Sequence, residues 1–277
     1  MVRGKKNVAK ALLTLLLLVA AITMIVPFLW MISTSFKKPI DVFHYPIDWL
    51  PLPLKLDNYS RVWSGSYSFA LFYWNSIKVT VLSVLGTIVV SSAAAYGFGR
   101  IRFAGRDAVF MLYIATLMIP DQVTLVPRFI LFNYLGLYNT HGALILPGIF
   151  TAFGTFMLRQ FYMTVPNELS EAAKMEGAGH LHIWSRIMVP LSKAAMISLV
   201  ILSFAWTWNE FVNPLIFLTS KELYTVPLGL NNFVDESGTE YTLMMAAAVI
   251  SVLPVMVVFI ICQRWFVEGV ISSGVKG

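Results

Sequence analysis

The sequence predicts an all-α integral membrane protein with six transmembrane helices. Of its 277 residues, 58% are hydrophobic and only 12% are charged, and the mean hydropathy is +0.74. Soluble domains average about 25% charged residues, and a soluble chain of this length does not enclose so much apolar surface. The apolar residues also fall in separate runs of about 20, the length that crosses a bilayer core of about 30 Å as a helix.

The apolar runs are separated by polar or proline-containing segments, and we treat 1–277 as a single transmembrane domain. The predicted spans are about 11–31, 74–98, 108–126, 142–162, 191–218 and 242–262. The first run follows basic residues, as the core of a signal peptide does. It is longer than such a core and lacks a clear cleavage site of small residues, so we expect an uncleaved first span.

The segments between the spans differ in character. Four prolines in 32–73 predict an irregular extramembrane loop, with a short helix near 57–63. The aromatic-rich segment 127–139 predicts a helix that lies in the membrane interface. Segment 219–241 is a polar loop, and 263–277 is a polar tail.

The basic residues predict the orientation of the chain. Six spans put both termini on one side of the membrane. With cytoplasmic termini, the inner segments hold thirteen basic residues, namely Arg3, Lys5, Lys6, Lys10, Arg100, Arg102, Arg106, Arg159, Lys174, Arg186, Lys193, Arg264 and Lys276. The outer segments then hold six, namely Lys37, Lys38, Lys55, Arg61, Arg128 and Lys221. Cytoplasmic loops carry the excess of Lys and Arg, so we expect cytoplasmic termini. This orientation also explains the net charge of +6 better than nucleic-acid binding does.

The longest polar interruption in the second half of the chain is 164–190, and it has the pattern of a short helix. Pro166 suits a first-turn position. Glu168 and Glu171 follow in the early turns, where carboxylates favour the positive end of the helix dipole. Gly177 is a natural C-terminal stop.

Small residues in this interruption permit close approach by another surface. Ala172, Ala173 and Gly177 carry little or no side chain, and a second short helix is expected over 180–188. The alternative is a plain loop between two membrane helices, and the residues by themselves leave both open.

The spacing of Glu171-Ala172-Ala173, Gly177, Ile187 and Val189-Pro190 resembles the EAA loop of permease subunits of binding-protein-dependent ABC importers. The usual pattern ends in Ile-x-Leu-Pro, so Val189 is a departure of similar volume. The resemblance implies a cytoplasmic coupling helix between spans 4 and 5 that docks into a cleft on an ATPase subunit. Its docking residues would be Glu171, Ala172, Ala173 and Gly177.

Further segments are similar to the carbohydrate, MalG-like subfamily: 118–120, 208–211, 263–269 and 274–277. This resemblance implies a multi-pass protein of the cell membrane that pairs with a second, MalF-like permease subunit. Two cytoplasmic ATPase subunits and an extracytoplasmic solute-binding protein would complete the importer. Loop 219–241 would reach toward the binding protein, and the tail residues Gly274, Val275, Lys276 and Gly277 would contact the ATPase subunits.

No catalytic, metal or cofactor site is predicted in this chain. It lacks the G-x-x-x-x-G-K-[ST] phosphate loop, so the resemblance implies that ATP and Mg²⁺ bind on the partner ATPase. His180 and His182 are two residues apart, a spacing that does not put helical side chains on one face. No Ser/His/Asp or Cys/His arrangement can be nominated, which weighs against a membrane-embedded enzyme.

Polar groups inside a span are costly in hydrocarbon and commonly face a protein interior or a water path. Asn209 and Glu210 lie among aromatic residues in the predicted fifth span, and they are candidates for the translocation path of a sugar. The alternative is that they cap a helix break before Pro214. In the resembled maltose system, the membrane sugar site lies mainly in the partner permease.

The sequence therefore favours a permease that imports a sugar or oligosaccharide with energy from a separate ATPase. An ABC permease for a solute other than sugar is one alternative. The other is an ion-coupled secondary transporter, which requires titratable groups inside the spans, and Glu210 alone is thin support for it.

Overall fold

The computed structural model describes residues 2–64, 69–235 and 238–274. Within these ranges the chain forms fourteen α-helices: α1 (Val2–Ser35), α2 (Asp57–Ser64), α3 (Phe69–Arg100), α4 (Arg106–Ala115), α5 (Asp121–Tyr134), α6 (Gly142–Ile149), α7 (Ala152–Thr164), α8 (Asn167–Met175), α9 (His180–Ile183), α10 (Val189–Leu191), α11 (Lys193–Trp208), α12 (Val212–Phe217), α13 (Val226–Gly229) and α14 (Tyr241–Gly274). Tighter or wider helical turns occur at Pro39–Asp41, Thr116–Met118, Trp184–Met188, Lys221–Leu223 and Leu230–Phe233. Two-residue antiparallel strands are formed by β1 (Val234–Asp235) and β2 (Gly238–Thr239).

Four helices in the described ranges are long and apolar enough to cross a membrane: Lys10–Ser35, Phe69–Arg100, Gly142–Thr164 and Tyr241–Trp265. Two further helix pairs pass the same test but are bent, Arg106–Met118 with Asp121–Tyr134 by 99° and His180–Leu191 with Lys193–Trp208 by 79°. By length and composition the chain therefore has four candidate spans, or up to six if each bent pair is one span. The predicted all-α membrane fold is confirmed at this level.

The chain divides into two compact units, the first formed by 1–70 and 229–253. In this unit the predicted short helix is present as α2, and its Asn58 side chain donates hydrogen bonds to the Ser35 and Lys37 carbonyls at 2.8 and 2.9 Å. The ammonium of the buried Lys37 lies 4.7 Å from the centre of the Trp30 ring. Helix α2 is therefore fixed to the end of α1 by polar contacts.

The second unit is formed by 71–228 and 254–277, and helix α3 packs against α6 through small residues. A Cβ atom at Gly86 would lie 2.5 Å from Ile149, so only glycine permits this approach. The Thr87 hydroxyl donates to the Gly148 carbonyl at 2.8 Å. Ser91 and neighbouring small residues of α3 are also buried, as expected for close helix packing in membranes.

Three predicted spans are interrupted in the structure, and one of them is 142–162, which breaks at the extended residues Phe150 and Thr151 between α6 and α7. The predicted span 108–126 is interrupted before Asp121, because Pro120 has no N–H and Ile119 before it is extended. The segment predicted to lie in the interface, 127–139, is therefore mostly the second half of α5. The predicted span 191–218 is interrupted between α11 and α12.

Candidate functional site

Segment 164–190 folds as the predicted pair of short helices. Pro166 occupies the N-cap position with φ −57° and ψ 139°. Helix α8 therefore begins one residue later than the sequence predicts. A second helical stretch begins at His180 and runs through the wide turn Trp184–Met188 into α10.

Gly177 ends helix α8, as predicted. Its φ is +83°, its N–H donates to the Lys174 carbonyl at 2.9 Å, and the Ala178 N–H donates to the Ala173 carbonyl at 2.9 Å. These two bonds define a Schellman motif, in which the residue after the helix is left-handed and is usually glycine. Nothing lies within 4 Å of a Cβ built at Gly177, so the backbone conformation, not space, requires glycine.

The outward surface of α8 and α9 mixes carboxylates with large apolar side chains, and we name it the docking face. Glu171 and Ala172 are exposed, whereas Ala173 is half-buried. Met175 is 89% exposed and Leu181 is 75% exposed. Exposed apolar side chains rimmed by polar ones are typical of a protein contact surface.

The inward surface of the same segment is packed into the protein. Ile183 and Met188 are both fully buried. They belong to a cluster with Ala95 and Tyr96 of α3, Leu158 and Tyr162 of α7, and Leu199 of α11. Interiors packed at this density transmit displacement, so the docking face is mechanically tied to three long helices.

Polar contacts also hold the segment to the end of α3. The Arg100 guanidinium donates to the Val165 carbonyl and to Asn167 Oδ1. The Tyr96 hydroxyl lies 3.0 Å from His180 Nδ1. Helix α3 therefore holds the beginning of α8 and the beginning of α9.

Arg159 of α7 joins the ends of α3 and α4 in the same region. Its Nε donates to the Phe98 carbonyl at 3.1 Å, and a terminal nitrogen donates to Asp107 Oδ1 at 3.0 Å. The guanidinium also lies 4.0 Å from the centre of the Phe110 ring. Its side chain is only 10% exposed, so removing it would take a partner from the Phe98 carbonyl, Asp107 and the Phe110 ring.

The break between α11 and α12 places the predicted path residues at helix ends. The Asn209 amide donates to the Ala205 carbonyl at 2.7 Å, and Glu210 Oε1 accepts from the Asn213 N–H at 3.1 Å. The capping role considered from the sequence is therefore present. A role for Asn209 and Glu210 in the translocation path stays a prediction.

The structure adds two residues that the sequence reasoning missed, Arg128 and Asn213. Arg128 donates to Asn213 Oδ1 at 2.5 Å, and we name Arg128, Asn213 and Glu210 the break cluster. Arg128 had been counted only as an outer-side charge. The signal that could have found it is a charged residue inside an apolar helix, which marks function by default in a membrane protein.

The first part of loop 219–241 is fixed to the second unit. Asn139, with φ +57°, accepts from the Thr219 and Ser220 N–H groups at 2.9 and 3.0 Å through its side-chain oxygen. Its own N–H donates to the Phe217 carbonyl at 2.9 Å. Asparagine tolerates this left-handed conformation better than most residues.

Two further side chains hold the middle of this loop. The Asn75 amide donates to the Glu222 and Tyr224 carbonyls at 2.7 and 3.0 Å. His141 Nε2 lies 2.9 Å from the Leu223 carbonyl. Burial lowers the pKa of the His141 imidazole, and the charge of Lys78 acts in the same direction.

The predicted tail contact falls largely beyond what the structure describes. Helix α14 continues to Gly274, whereas Val275, Lys276 and Gly277 lie outside the described residues. Among the described residues, no group of three His, Cys, Asp or Glu side chains is placed to hold a metal ion.

Similarity to known proteins covers nearly the whole chain. The arabinooligosaccharides transport system permease protein AraQ of Bacillus subtilis strain 168 is 30% identical over 273 residues, which are 98% of this chain and 97% of that protein. The probable ABC transporter permease protein YurM of the same organism is 35% identical over 257 residues, 91% and 83% of the two chains. The sn-glycerol-3-phosphate transport system permease protein UgpE of Yersinia pestis bv. Antiqua (strain Antiqua) is 33% identical over 240 residues, 84% of this chain and 85% of that protein.

The fold has a close counterpart among solved structures. A chain from the crystal structure of a bacterial ABC transporter involved in the import of the acidic polysaccharide alginate superposes with a TM-score of 0.85 and 24% identity, covering 94% of this chain and 97% of that one. The profile described as "Binding-protein-dependent transport system inner membrane component" matches residues 87–272. The chain therefore belongs to the family of inner membrane components of binding-protein-dependent transport systems.

Proposed function

We propose that this chain is a permease subunit of an ATP-driven ABC importer that moves a sugar or oligosaccharide from an extracytoplasmic binding protein into the cytoplasm. The observation that carries the proposal is the similarity to AraQ over 98% of this chain, because its printed name specifies arabinooligosaccharide transport. The likeness to a chain of an alginate importer adds support for the fold.

We infer six spans within one transmembrane domain, 1–277, with both termini in the cytoplasm. The bent pair Arg106–Met118 with Asp121–Tyr134 then counts as one span. The fifth span is formed by α11 and α12, and His180–Leu191 stays with the cytoplasmic segment. The distribution of Lys and Arg supports this orientation, and it puts the docking face in the cytoplasm.

In this proposal α8 is the coupling helix, and Glu171, Ala172, Ala173 and Gly177 make the contact with the ATPase subunit. ATP and Mg²⁺ bind on two such cytoplasmic subunits, and this chain holds no cofactor. A second, MalF-like permease subunit completes the membrane pair. The tail 274–277 reaches the ATPase subunits, and loop 219–241 faces the binding protein.

The packing of segment 164–190 suggests how force is transmitted. Closure of the ATPase pair would displace the docking face. Ile183, Met188 and the Arg100 contacts would carry that displacement into α3, α7 and α11. A bistable packed core, not a flexible loop, is what converts a small shift into a change of access.

A reconstitution experiment tests this function. We expect proteoliposomes that contain this chain, its partner permease, the ATPase subunits and the loaded binding protein to accumulate sugar when ATP is enclosed. Uptake should persist when ion gradients are collapsed and stop when ATP is removed. Uptake driven by an ion gradient without ATPase subunits would contradict the proposal.

The binding protein provides the most direct route to the solute. A ligand that binds only the native state raises the melting temperature, so the binding protein should be screened against mono- and oligosaccharides. sn-Glycerol 3-phosphate belongs in the same screen, because UgpE is 33% identical and a polyol phosphate is the second candidate solute. The ion-coupled transporter considered from the sequence finds no support in these relatives.

A further inference from the structure

We propose that the break cluster is a contact site for an uncharged, hydroxyl-rich solute within this chain. The inference rests on the proposed function, and it extends the predicted path residues Asn209 and Glu210 to Arg128 and Asn213. All of these residues lie in the second unit.

The geometry sets a cation and an anion on either side of one amide residue. Arg128 donates to the side-chain oxygen of Asn213 at 2.5 Å, while the N–H of Asn213 donates to Glu210 Oε1 at 3.1 Å. A charge at membrane depth is costly unless it is paired or faces water. Asn213 therefore gives each charged group one hydrogen bond, and Arg128 and Glu210 do not bond to each other directly.

Both charged groups retain hydrogen-bonding capacity. Arg128 Nε is buried and has no hydrogen-bond partner among the described residues. A guanidinium carries five N–H donors and a carboxylate has about four acceptor positions. A buried donor without an acceptor is destabilising. A solute that supplies an acceptor during transport would remove this destabilisation at Arg128.

The remaining donors of Arg128 and the remaining acceptor positions of Glu210 together match a hydroxyl group. A hydroxyl accepts from a cationic donor and donates to a carboxylate at the same time. An anionic solute gains from Arg128 what it loses to Glu210, and a cationic solute the reverse. The hydroxyl groups of a neutral, polyhydroxylated solute use both charged groups at once.

The surrounding rings hold the cluster in place. The Arg128 guanidinium lies 5.4 Å from the centre of the Phe217 ring, and Phe217 is fully buried. Trp208, one residue before the break, packs on Phe204 and Tyr73 with ring centres 5.7 and 5.5 Å apart. Rigid support of this kind is what a contact site requires.

The first test asks whether the two charges border water. In the reconstituted importer, with Cys262→Ser as background, Asn209→Cys serves as the reporter for an anionic and a cationic methanethiosulfonate reagent. We expect both to react. Glu210→Gln should raise the anionic-to-cationic rate ratio and Arg128→Gln should lower it, each by about threefold or more, since a charge within a few ångströms changes the local potential by that much.

Controls separate this effect from misfolding. Lys193→Gln, at the opposite end of α11 from the cluster, should leave the ratio unchanged. Arg128→Lys keeps the charge and should give the parental ratio, so it stands in if Arg128→Gln does not assemble. An unreactive Asn209→Cys in both nucleotide-free and vanadate-trapped complexes overturns the proposal, as does a ratio that neither neutralisation moves.

The second test addresses the class of solute. Reaction of Asn209→Cys with the anionic reagent is measured in complexes supplied with binding protein and either arabinotriose or sn-glycerol 3-phosphate at equal concentration. Greater slowing by arabinotriose is expected. Greater slowing by the phosphate ester, or none by either probe, overturns the assignment to neutral solutes. Absence of ATP-driven uptake by the unmodified importer would contradict the proposed function instead. This uptake is measured separately, in the proteoliposome assay.

Discussion

Two helix interruptions in the second half of the chain end their helices by different means and leave different surfaces. In segment 164–190 the helix ends on backbone hydrogen bonds and a left-handed glycine, Gly177. The side chains of the docking face are therefore not used for capping. In the break between α11 and α12, the caps are the Asn209 and Glu210 side chains, and Glu210 is connected to Arg128 through Asn213.

The proposed topology accounts for the difference, because it puts segment 164–190 in the cytoplasm and the break within the fifth span. Water satisfies exposed carboxylates, so segment 164–190 can present Glu171 beside Met175 and keep its apolar residues underneath. At membrane depth polar groups must find partners in the protein, so the break draws its polar side chains together. An interruption that keeps its side chains free suits a partner protein, and one that pairs them suits a small polar solute.

The largest expected effect comes from changing the docking face itself. Glu171→Lys and Gly177→Arg should each weaken ATPase binding by about thirtyfold, the loss that corresponds to ~2 kcal/mol at an interface hot spot. Copurification of the ATPase subunits measures this. Glu222→Lys, in loop 219–241, is the control, and this variant should retain the ATPase subunits. Retention of ATPase subunits and uptake in both docking-face variants would refute the assigned role.

A matched pair of substitutions in α9 separates the two sides of the segment. Ile183→Ala removes a fully buried side chain and should lower the free energy of unfolding by about 2–5 kcal/mol. Leu181→Ala, at an exposed position, should change that free energy by less than about 0.5 kcal/mol yet weaken ATPase binding. Thermal unfolding and copurification together measure the pair. Equal losses of stability would remove the distinction between an anchored inner side and a free outer side.

The backbone of the α8 end is tested by two glycines. Gly177→Ala forces a Cβ into a left-handed conformation and should cost about 1 kcal/mol. Gly97, within α3 and with nothing within 4 Å of a built Cβ, should be stabilised by up to about 1 kcal/mol as alanine. Melting temperatures of the two variants should shift in opposite directions. A melting temperature that does not fall in Gly177→Ala would indicate that Gly177 is not required by its conformation.

The smallest expected effect is a pH dependence of stability from His141, which contacts loop 219–241. Burial lowers the pKa of His141 below its ordinary value of 6.5, so the unfolded chain binds more protons in the window between the folded and ordinary values. The contribution of His141 to stability is then complete above about pH 6.5 and is lost as the pH falls below it. His141→Gln keeps a donor for the Leu223 carbonyl. In this variant the melting temperature should depend less on pH between pH 5.5 and 7.5. An unchanged slope would assign the pH dependence to other groups.

Local structure was predictable wherever a residue type permits few conformations. Pro166 and Gly177 bound α8 within one residue of the expected position, because proline lacks an N–H and glycine tolerates positive φ. Runs of apolar residues likewise predicted the long helices α1, α3 and α14. The bend before Asp121 was missed, although Pro120 stands in the sequence, because only Asp121 and Gln122 follow it before the apolar residues resume at Val123.

The sequence by itself determined that this is a helical membrane protein whose polar segment 164–190 forms a short capped helix. These features depend on composition and on neighbours a few residues away. Only the tertiary structure decided that Ile183 and Met188 anchor that segment to α3, α7 and α11. It alone also showed that Arg128 meets Asn213, 85 residues later. Such contacts join residues that lie far apart in the chain. Packing decides which of the many apolar or polar side chains meet, and hydropathy and local spacing do not identify these pairs.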